Sequence, residues 1–71
     1  MKIEDLIAGK NEQEEINVEG ITLPVSGLKK CMKEGYIHLR PYKEEKTVSL
    51  WGKTCTGCFT VQDLREKGSQ N

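Results

Sequence analysis

The segment YIHLRPYKEEKTVSLW, residues 36–51, decides the fold of this chain. Apolar and polar side chains alternate on both sides of a polar turn at residues 43–46. Alternation with a period of two is typical of half-buried strands, so the segment predicts an antiparallel hairpin. The residues predicted to face the core are Ile37, Leu39, Val48 and Leu50. The pattern leaves the turn length open, and therefore also the pairing across the hairpin.

A short helix is expected directly before this hairpin. Ser26 is a favourable N-cap, and apolar residues follow at helical spacing from Leu28 to Met32. Gly35 stands where the glycine after a helix is usually found. These signals predict a helix over residues 27–34.

A second hairpin is expected upstream, over residues 16–23. Its apolar residues alternate on both sides of Glu19-Gly20, which indicates either a tight turn or one strand with a bulge at Gly20. Pro24 has no N–H to donate, so the ladder should end there.

Both ends of the chain carry helical signals. Residues 3–8 have apolar positions at helical spacing, and residues 10–15 are polar throughout. Residues 52–57 predict a loop or a third short strand. Thr60 is expected to cap a last helix over residues 61–67, which Gly68 would end.

Together these elements predict the α+β class: one small domain with two short antiparallel hairpins and two or three short helices. A chain of 71 residues has room for one domain at most. We expect an acidic N-terminal helix and linker at residues 1–15, a folded core at residues 16–68, and a disordered tail at residues 69–71.

Charge and hydropathy narrow the function classes. The net charge is zero, but residues 1–20 carry two lysines against six carboxylates, while residues 21–71 carry nine basic groups against five acidic ones. This balance does not indicate a strongly basic nucleic-acid binder, although a basic face is compatible with it. There is no apolar stretch for a membrane span and no signal-peptide pattern, so we expect a cytoplasmic protein without a membrane partner.

The cysteines suggest a metal site. Cys55 and Cys58 have the CxxC spacing that lets two thiolates bind one ion, and Cys31 and His38 would complete four zinc ligands. Cys31 also lies on the apolar face of the predicted helix, where a free cysteine acts as a small hydrophobe. The sequence therefore leaves two alternatives open, one structural zinc ion or no cofactor.

The same CxxC motif supports a redox alternative. Residues 47–59, followed by Leu64 and Gly68, resemble the strand–CxxC–helix start of glutaredoxin-like proteins. The resemblance implies that Cys55, at a helix N-terminus, is the attacking thiolate and that Cys58 resolves the mixed disulfide. The later hairpin and helix of that family are not matched in this chain.

An aromatic and basic face is expected on the hairpin of residues 36–51. Strand alternation predicts that Tyr36, His38, Arg40 and Trp51 lie on its outward side, near Lys53. Aromatic rings stack on bases and basic groups pair with phosphates, so this face could bind nucleic acid. Trp and Tyr also anchor protein interfaces. The alternative is that both aromatic rings cover the core.

Residues 28–51 resemble the end of a winged helix, in which a basic helix precedes a hairpin wing. The resemblance implies that Lys29, Lys30 and Lys33 contact DNA in the major groove. The strand-like alternation of residues 16–23 departs from that family, because a helix should stand there.

From these observations we predict a small, non-enzymatic binding or regulatory protein. The sequence has no catalytic constellation apart from the thiols. Its partner would be a larger protein or a nucleic acid, and a homodimer stays open. The small size is typical of regulators encoded by phages or other mobile elements. The alternatives are a zinc-stapled nucleic-acid-binding domain, a winged-helix-like regulator and a thiol redox protein.

Overall fold

A computed structural model describes residues 1–69 and confirms the predicted α+β class. Within this range the elements are α1 (Ile3–Ile7), β1 (Glu15–Val18), β2 (Ile21–Pro24), α2 (Val25–Lys33), β3 (Tyr36–Tyr42), β4 (Thr47–Gly52), β5 (Thr56–Thr60) and α3 (Val61–Ser69). Strands β1 and β2 form one antiparallel pair, and β3, β4 and β5 form a second sheet in that order. The predicted hairpin of residues 36–51 is thus extended by a third strand. For residues 52–57 a loop or a third strand was left open, and the structure has both: a turn at residues 53–55 and the start of β5 at Thr56.

The hairpin of β1 and β2 has the tight turn that was one of its two predicted alternatives. Val18 pairs with Ile21, so Glu19 and Gly20 alone make the connection. Both have a positive φ, 50° and 92°, which suits the right-handed twist of the strands. The amide of Gly20 also donates to the side chain of Asn17 at 3.2 Å.

Helix α2 begins earlier than predicted. Its N-cap is Pro24, the last residue of β2, so the helix follows the strand without a loop. The assignment of Ser26 as N-cap is therefore wrong. The predicted role of Gly35 as the glycine after the helix is confirmed. Its φ is 110°, and its amide donates to the carbonyl of Met32 at 3.1 Å. A side chain at Gly27 would meet the backbone carbonyl of Leu64, so this glycine allows α3 to pack closely on α2.

The register of the three-stranded sheet corrects two predicted orientations. Strand β3 has a bulge between Tyr36 and His38, because Tyr36 pairs with Gly52 whereas His38 pairs with the adjacent Trp51. The extra residue, Ile37, is 38% exposed and does not face the core. The bulge also moves Tyr36 to the opposite face from His38, where its ring packs against the core.

Helix α3 confirms the predicted cap. The amide of Asp63 donates to the hydroxyl of Thr60, and the amide of Thr60 donates to the carboxylate of Asp63, both at 3.0 Å. This reciprocal pair is a capping box. The helix continues past Gly68 to Ser69, so the predicted disorder is wrong for Ser69. The rest of the predicted tail, residues 70–71, lies outside the described residues.

One core joins all the elements. The side chains of Leu39, Val48 and Leu50 come from the inner face of the sheet, and those of the helices pack over them. Ile3 and Ile7 of α1 belong to the same cluster, so the core extends beyond the predicted boundary at residue 16. Among residues 1–69, no helix has the length and apolarity needed to cross a membrane.

Candidate functional site

The face of the three-stranded sheet opposite the core is the main candidate site. Residues paired across antiparallel strands point to the same side, so the register determines which side chains share this face. We call it the outer face, and its members are Lys2, His38, Arg40, Tyr42, Thr47, Ser49, Trp51, Thr56, Cys58 and Thr60. The helices pack on the inner side, and Arg40, Thr56 and Cys58 are exposed.

The outer face is arranged in three rows across the strands. His38, Trp51 and Thr56 form the first row, and the imidazole and indole rings are stacked with centroids 5.5 Å apart and planes at 27°. The second row contains Arg40. Its guanidinium carbon lies 5.6 Å from the ring centre of Tyr42 in the third row. Successive rows are about 7 Å apart, because two residues separate them along each strand.

The N-terminus adds Lys2, which sequence reasoning missed. The ammonium group of Met1 donates to the carbonyl of Leu39 at 3.0 Å, and the amide of Leu39 donates to the carbonyl of Met1 at 2.7 Å. These bonds place Lys2 beside His38 as an isolated antiparallel bridge. No local pattern indicates this pairing, since the two residues are far apart in the sequence.

Charge on the outer face has one sign. Lys2 and Arg40 are exposed cations within its rows, and Lys53 is exposed in the turn between β4 and β5. The defined set contains no carboxylate. Two carboxylates lie at its margin: the amide of Thr60 donates to Asp63 at 3.0 Å, and the hydroxyl of Thr47 donates to Glu45 at 3.5 Å. The face therefore favours an anionic ligand.

Four of the predicted binding residues lie elsewhere. Tyr36 is on the inner face, where its ring meets Phe59 edge-on with centroids 5.4 Å apart. Lys29, Lys30 and Lys33 belong to α2, whose buried residues pack against the inner side of the sheet. The element before α2 is a strand, not the helix that the winged-helix resemblance implies.

The cysteines are separated by the fold. Cys31 is fully buried in the core, and this burial raises the pKa of its thiol to about 11; Lys67 lowers the pKa and Glu34 raises it to smaller extents. Cys58 lies opposite Ser49 on the outer face, whereas Cys55 ends the turn that follows β4 and its side chain adjoins Gly35. Helix α3 begins only at Val61, so the position at a helix N-terminus that the glutaredoxin resemblance implies for Cys55 is wrong.

The four predicted zinc ligands are likewise not brought together. Cys31 lies in the core and His38 on the outer face, with the sheet between them. In the part of the chain that the structure describes, no three His, Cys, Asp or Glu side chains are grouped for a metal ion. Zinc binding stays a prediction from the sequence alone.

The fold and the outer face define a class: a small α+β domain whose open sheet face is aromatic, cationic and rich in hydroxyl groups. Comparison with protein-family models, curated proteins and solved structures gives no match to this chain. The geometry of the outer face is therefore the main indication of function.

Proposed function

We propose that the protein binds single-stranded nucleic acid through the outer face and acts by this binding, without catalysis. The observation that carries the proposal is the stacked pair of His38 and Trp51, with Lys2 beside His38 and Arg40 in the next row, on a sheet face whose defined residues include no carboxylate. Exposed rings stack on unpaired bases, and cations beside them neutralise phosphates.

The composition of the outer face favours nucleic acid over a protein partner. Protein interfaces have an apolar centre surrounded by a polar rim. The centre of this face instead has Ser49, flanked by Arg40 and Cys58. Hydroxyl and guanidinium groups at the centre can bond to phosphates and base edges, whereas a dry protein interface would leave several of them unsatisfied.

Trp51 provides a direct test because it is the chain's only tryptophan. A base that stacks on the indole should quench its fluorescence, so titration with a single-stranded oligonucleotide reports the proposed contact itself. Binding through Lys2, Arg40 and Lys53 should weaken with salt, with a slope of about −2 in log K against log salt, at about −0.7 for each neutralised phosphate.

Matched variants locate the binding surface. Trp51→Ala should weaken binding of a labelled oligonucleotide about fivefold to 150-fold, the equivalent of about 1–3 kcal/mol for one stacked base. Arg40→Ala should weaken it and reduce the salt slope. Lys33→Ala, which removes the same charge from the exposed part of α2, should leave binding unchanged.

Other outcomes would support other functions. Loss of binding in Lys33→Ala, together with preference for a duplex, would favour the winged-helix-like regulator. If no oligonucleotide binds and the Arg40 and Trp51 variants instead lose a protein ligand, the partner is a protein. Zinc binding, homodimer formation and thiol redox activity stay predictions, which native mass spectrometry before and after reduction tests together. A cytoplasmic location and a phage or mobile-element origin are also still proposals, the latter resting on size alone.

A further inference from the structure

A second basic site lies beyond the third row of the outer face, between the turns of the two sheets. An open pocket of about 310 Å³ is formed there by the β1–β2 turn, the β3–β4 turn and the first turns of α3. Lys43, Lys46 and Arg65 line it, and Ile21 and Val61 contribute apolar surface. Two elements that are distant in the sequence, the β3–β4 turn and α3, thus bring three cations to one concave surface.

The β3–β4 turn separates its charges. The sequence of this turn, Lys43-Glu44-Glu45-Lys46, is neutral overall. In the fold both lysines line the basic pocket with Arg65. Glu44 and Glu45 do not line it; they line a neighbouring pocket with Tyr42, which Lys43 also borders. A turn that looks like an ordinary solvated loop in the sequence therefore presents only positive charge to this site.

The backbone of Lys46 fixes where the second lysine of the turn lies. Its φ is 54°, a left-handed conformation that Glu19 of the β1–β2 turn shares at 50°, and a residue in this conformation commonly closes a hairpin turn. The amide of Lys46 donates to the carbonyl of Lys43, and its own carbonyl accepts from the amide of Val61. These main-chain bonds hold Lys46 next to Val61, and both residues line the pocket.

Two neighbours position the other cations. The side chain of Lys43 lies across Gly20, where any Cβ would approach its carbon chain within 2.9 Å. Arg65 forms an ion pair with Glu15 at 3.6 Å, and both side chains are about half exposed. Glu15 is thus the carboxylate that an anion in the pocket would have to displace or share.

We propose that Lys43, Lys46 and Arg65 form a binding site for a phosphate group, either free or at the end of a nucleic-acid strand. Three cations around one pocket supply charge-assisted hydrogen bonds to several phosphate oxygens. The apolar surface of Ile21 and Val61 suits the carbon framework that carries the phosphate. This site does not depend on the outer face, although it adjoins its third row.

The first experiment titrates inorganic pyrophosphate into the isotope-labelled protein at constant ionic strength and follows backbone amide shifts by NMR. Saturable shifts at Gly20, Lys43, Lys46 and Val61 are expected. Diffuse shifts at lysines over the whole surface, or none, would overturn the proposal. Because this arm uses no nucleic acid, it can succeed while the proposed function fails.

Two variants give effects of opposite sign. Lys46→Gly should bind pyrophosphate about tenfold more weakly, since it loses one charge-assisted contact of about 1.4 kcal/mol, and it should unfold at the same or a higher temperature. Glu15→Gln should bind more tightly, because the competing carboxylate is removed. Unchanged binding in Lys46→Gly would refute the site, and the NMR spectrum shows that the variant is folded. Lys43→Ala removes the other lysine of the turn and should also bind about tenfold more weakly.

A second arm identifies the source of the phosphate. An oligonucleotide with a 5′-phosphate and its 5′-hydroxyl counterpart are compared on the unmodified protein and on Lys46→Gly. A preference for the 5′-phosphate that disappears in Lys46→Gly assigns the site to nucleic-acid ends. Equal binding of both oligonucleotides, with pyrophosphate still bound, assigns it to free phosphate compounds. Equal binding without pyrophosphate binding would overturn the proposal.

Discussion

The two faces of the three-stranded sheet differ in almost every property, although they alternate along the same strands. The inner face carries Leu39, Val48 and Leu50, all fully buried. The outer face carries His38, Arg40 and Trp51, which are partly or fully exposed; His38 stacks on Trp51, and Arg40 lies over the ring of Tyr42. Adjacent residues in one strand thus have different roles, so mutations should be able to change stability and binding separately.

The largest expected change in the free energy of unfolding is at Leu50 in β4, and the adjacent Ser49 is its control. Leu50→Ala should lower the free energy of unfolding by about 2–5 kcal/mol, because Leu50 is 0% exposed and truncation leaves a cavity. Ser49→Ala, on the outer face, should change it by less than about 0.5 kcal/mol. Urea denaturation followed by circular dichroism measures both. Equal effects would contradict the separation of the two faces.

A second test measures how the free energy of unfolding depends on pH because the Cys31 thiol is buried. Its pKa rises from 9.0 to about 11 in the folded chain, so folding favours the neutral thiol. Below pH 9 the thiol is neutral in both the folded and the unfolded chain, so its full contribution to the free energy of unfolding is present. Between pH 9 and about 11 only the unfolded chain ionises, so stability should fall, by at most about 3 kcal/mol at about 1.4 kcal/mol per pKa unit.

Comparison of variants separates Cys31 from other groups that titrate at alkaline pH, including Lys67, whose pKa is raised by its hydrogen bond to Glu34. Cys31→Ala should show a shallower loss of stability above pH 9 than the unmodified chain, whereas Cys58→Ser should keep the full slope. Alkylation provides an independent check: Cys58 should react in the folded protein, and Cys31 only after unfolding. Identical slopes in all three proteins would exclude Cys31 as the source.

The third test concerns Thr60, an outer-face residue with a structural role. Its hydroxyl accepts from the amide of Asp63 in the capping box. Thr60→Ala should therefore cost about 1 kcal/mol, more than the other exposed changes on this face. Thr56→Ala is the matched control in the same strand, since no cap depends on it. A thermal melt that shows the same shift for both variants would remove the special role of Thr60.

These comparisons show which parts of the structure were predictable. The cap at Thr60 follows from a short segment whose signals are complete in the sequence. The hairpin at Glu19-Gly20 was one of the two alternatives that its segment left open. The bulge at Ile37 was missed because alternation continues through it, and only the pairing of Tyr36 with Gly52 exposes the extra residue. The predicted position of Tyr36 was wrong for the same reason.

The candidate site was partly predictable. Strand alternation correctly predicted that His38, Arg40 and Trp51 lie on one face of the sheet. It could not supply Lys2, whose place depends on hydrogen bonds between Met1 and Leu39. It also could not show that the lysines of the β3–β4 turn share a pocket with Arg65, since that requires the relative positions of two sheets and a helix.

The last prediction combines a small expected loss of stability with a large expected loss of binding. Arg40 is exposed, and its described partner is the Tyr42 ring at 5.6 Å, so Arg40→Ala should lower the free energy of unfolding by no more than about 0.5–1 kcal/mol. Urea denaturation and oligonucleotide binding are then measured on the same preparation. Weaker binding at nearly unchanged stability would make Arg40 a contact residue. A loss of stability large enough to unfold the domain would instead mean that the outer face supports the fold, and the two faces would not be independent.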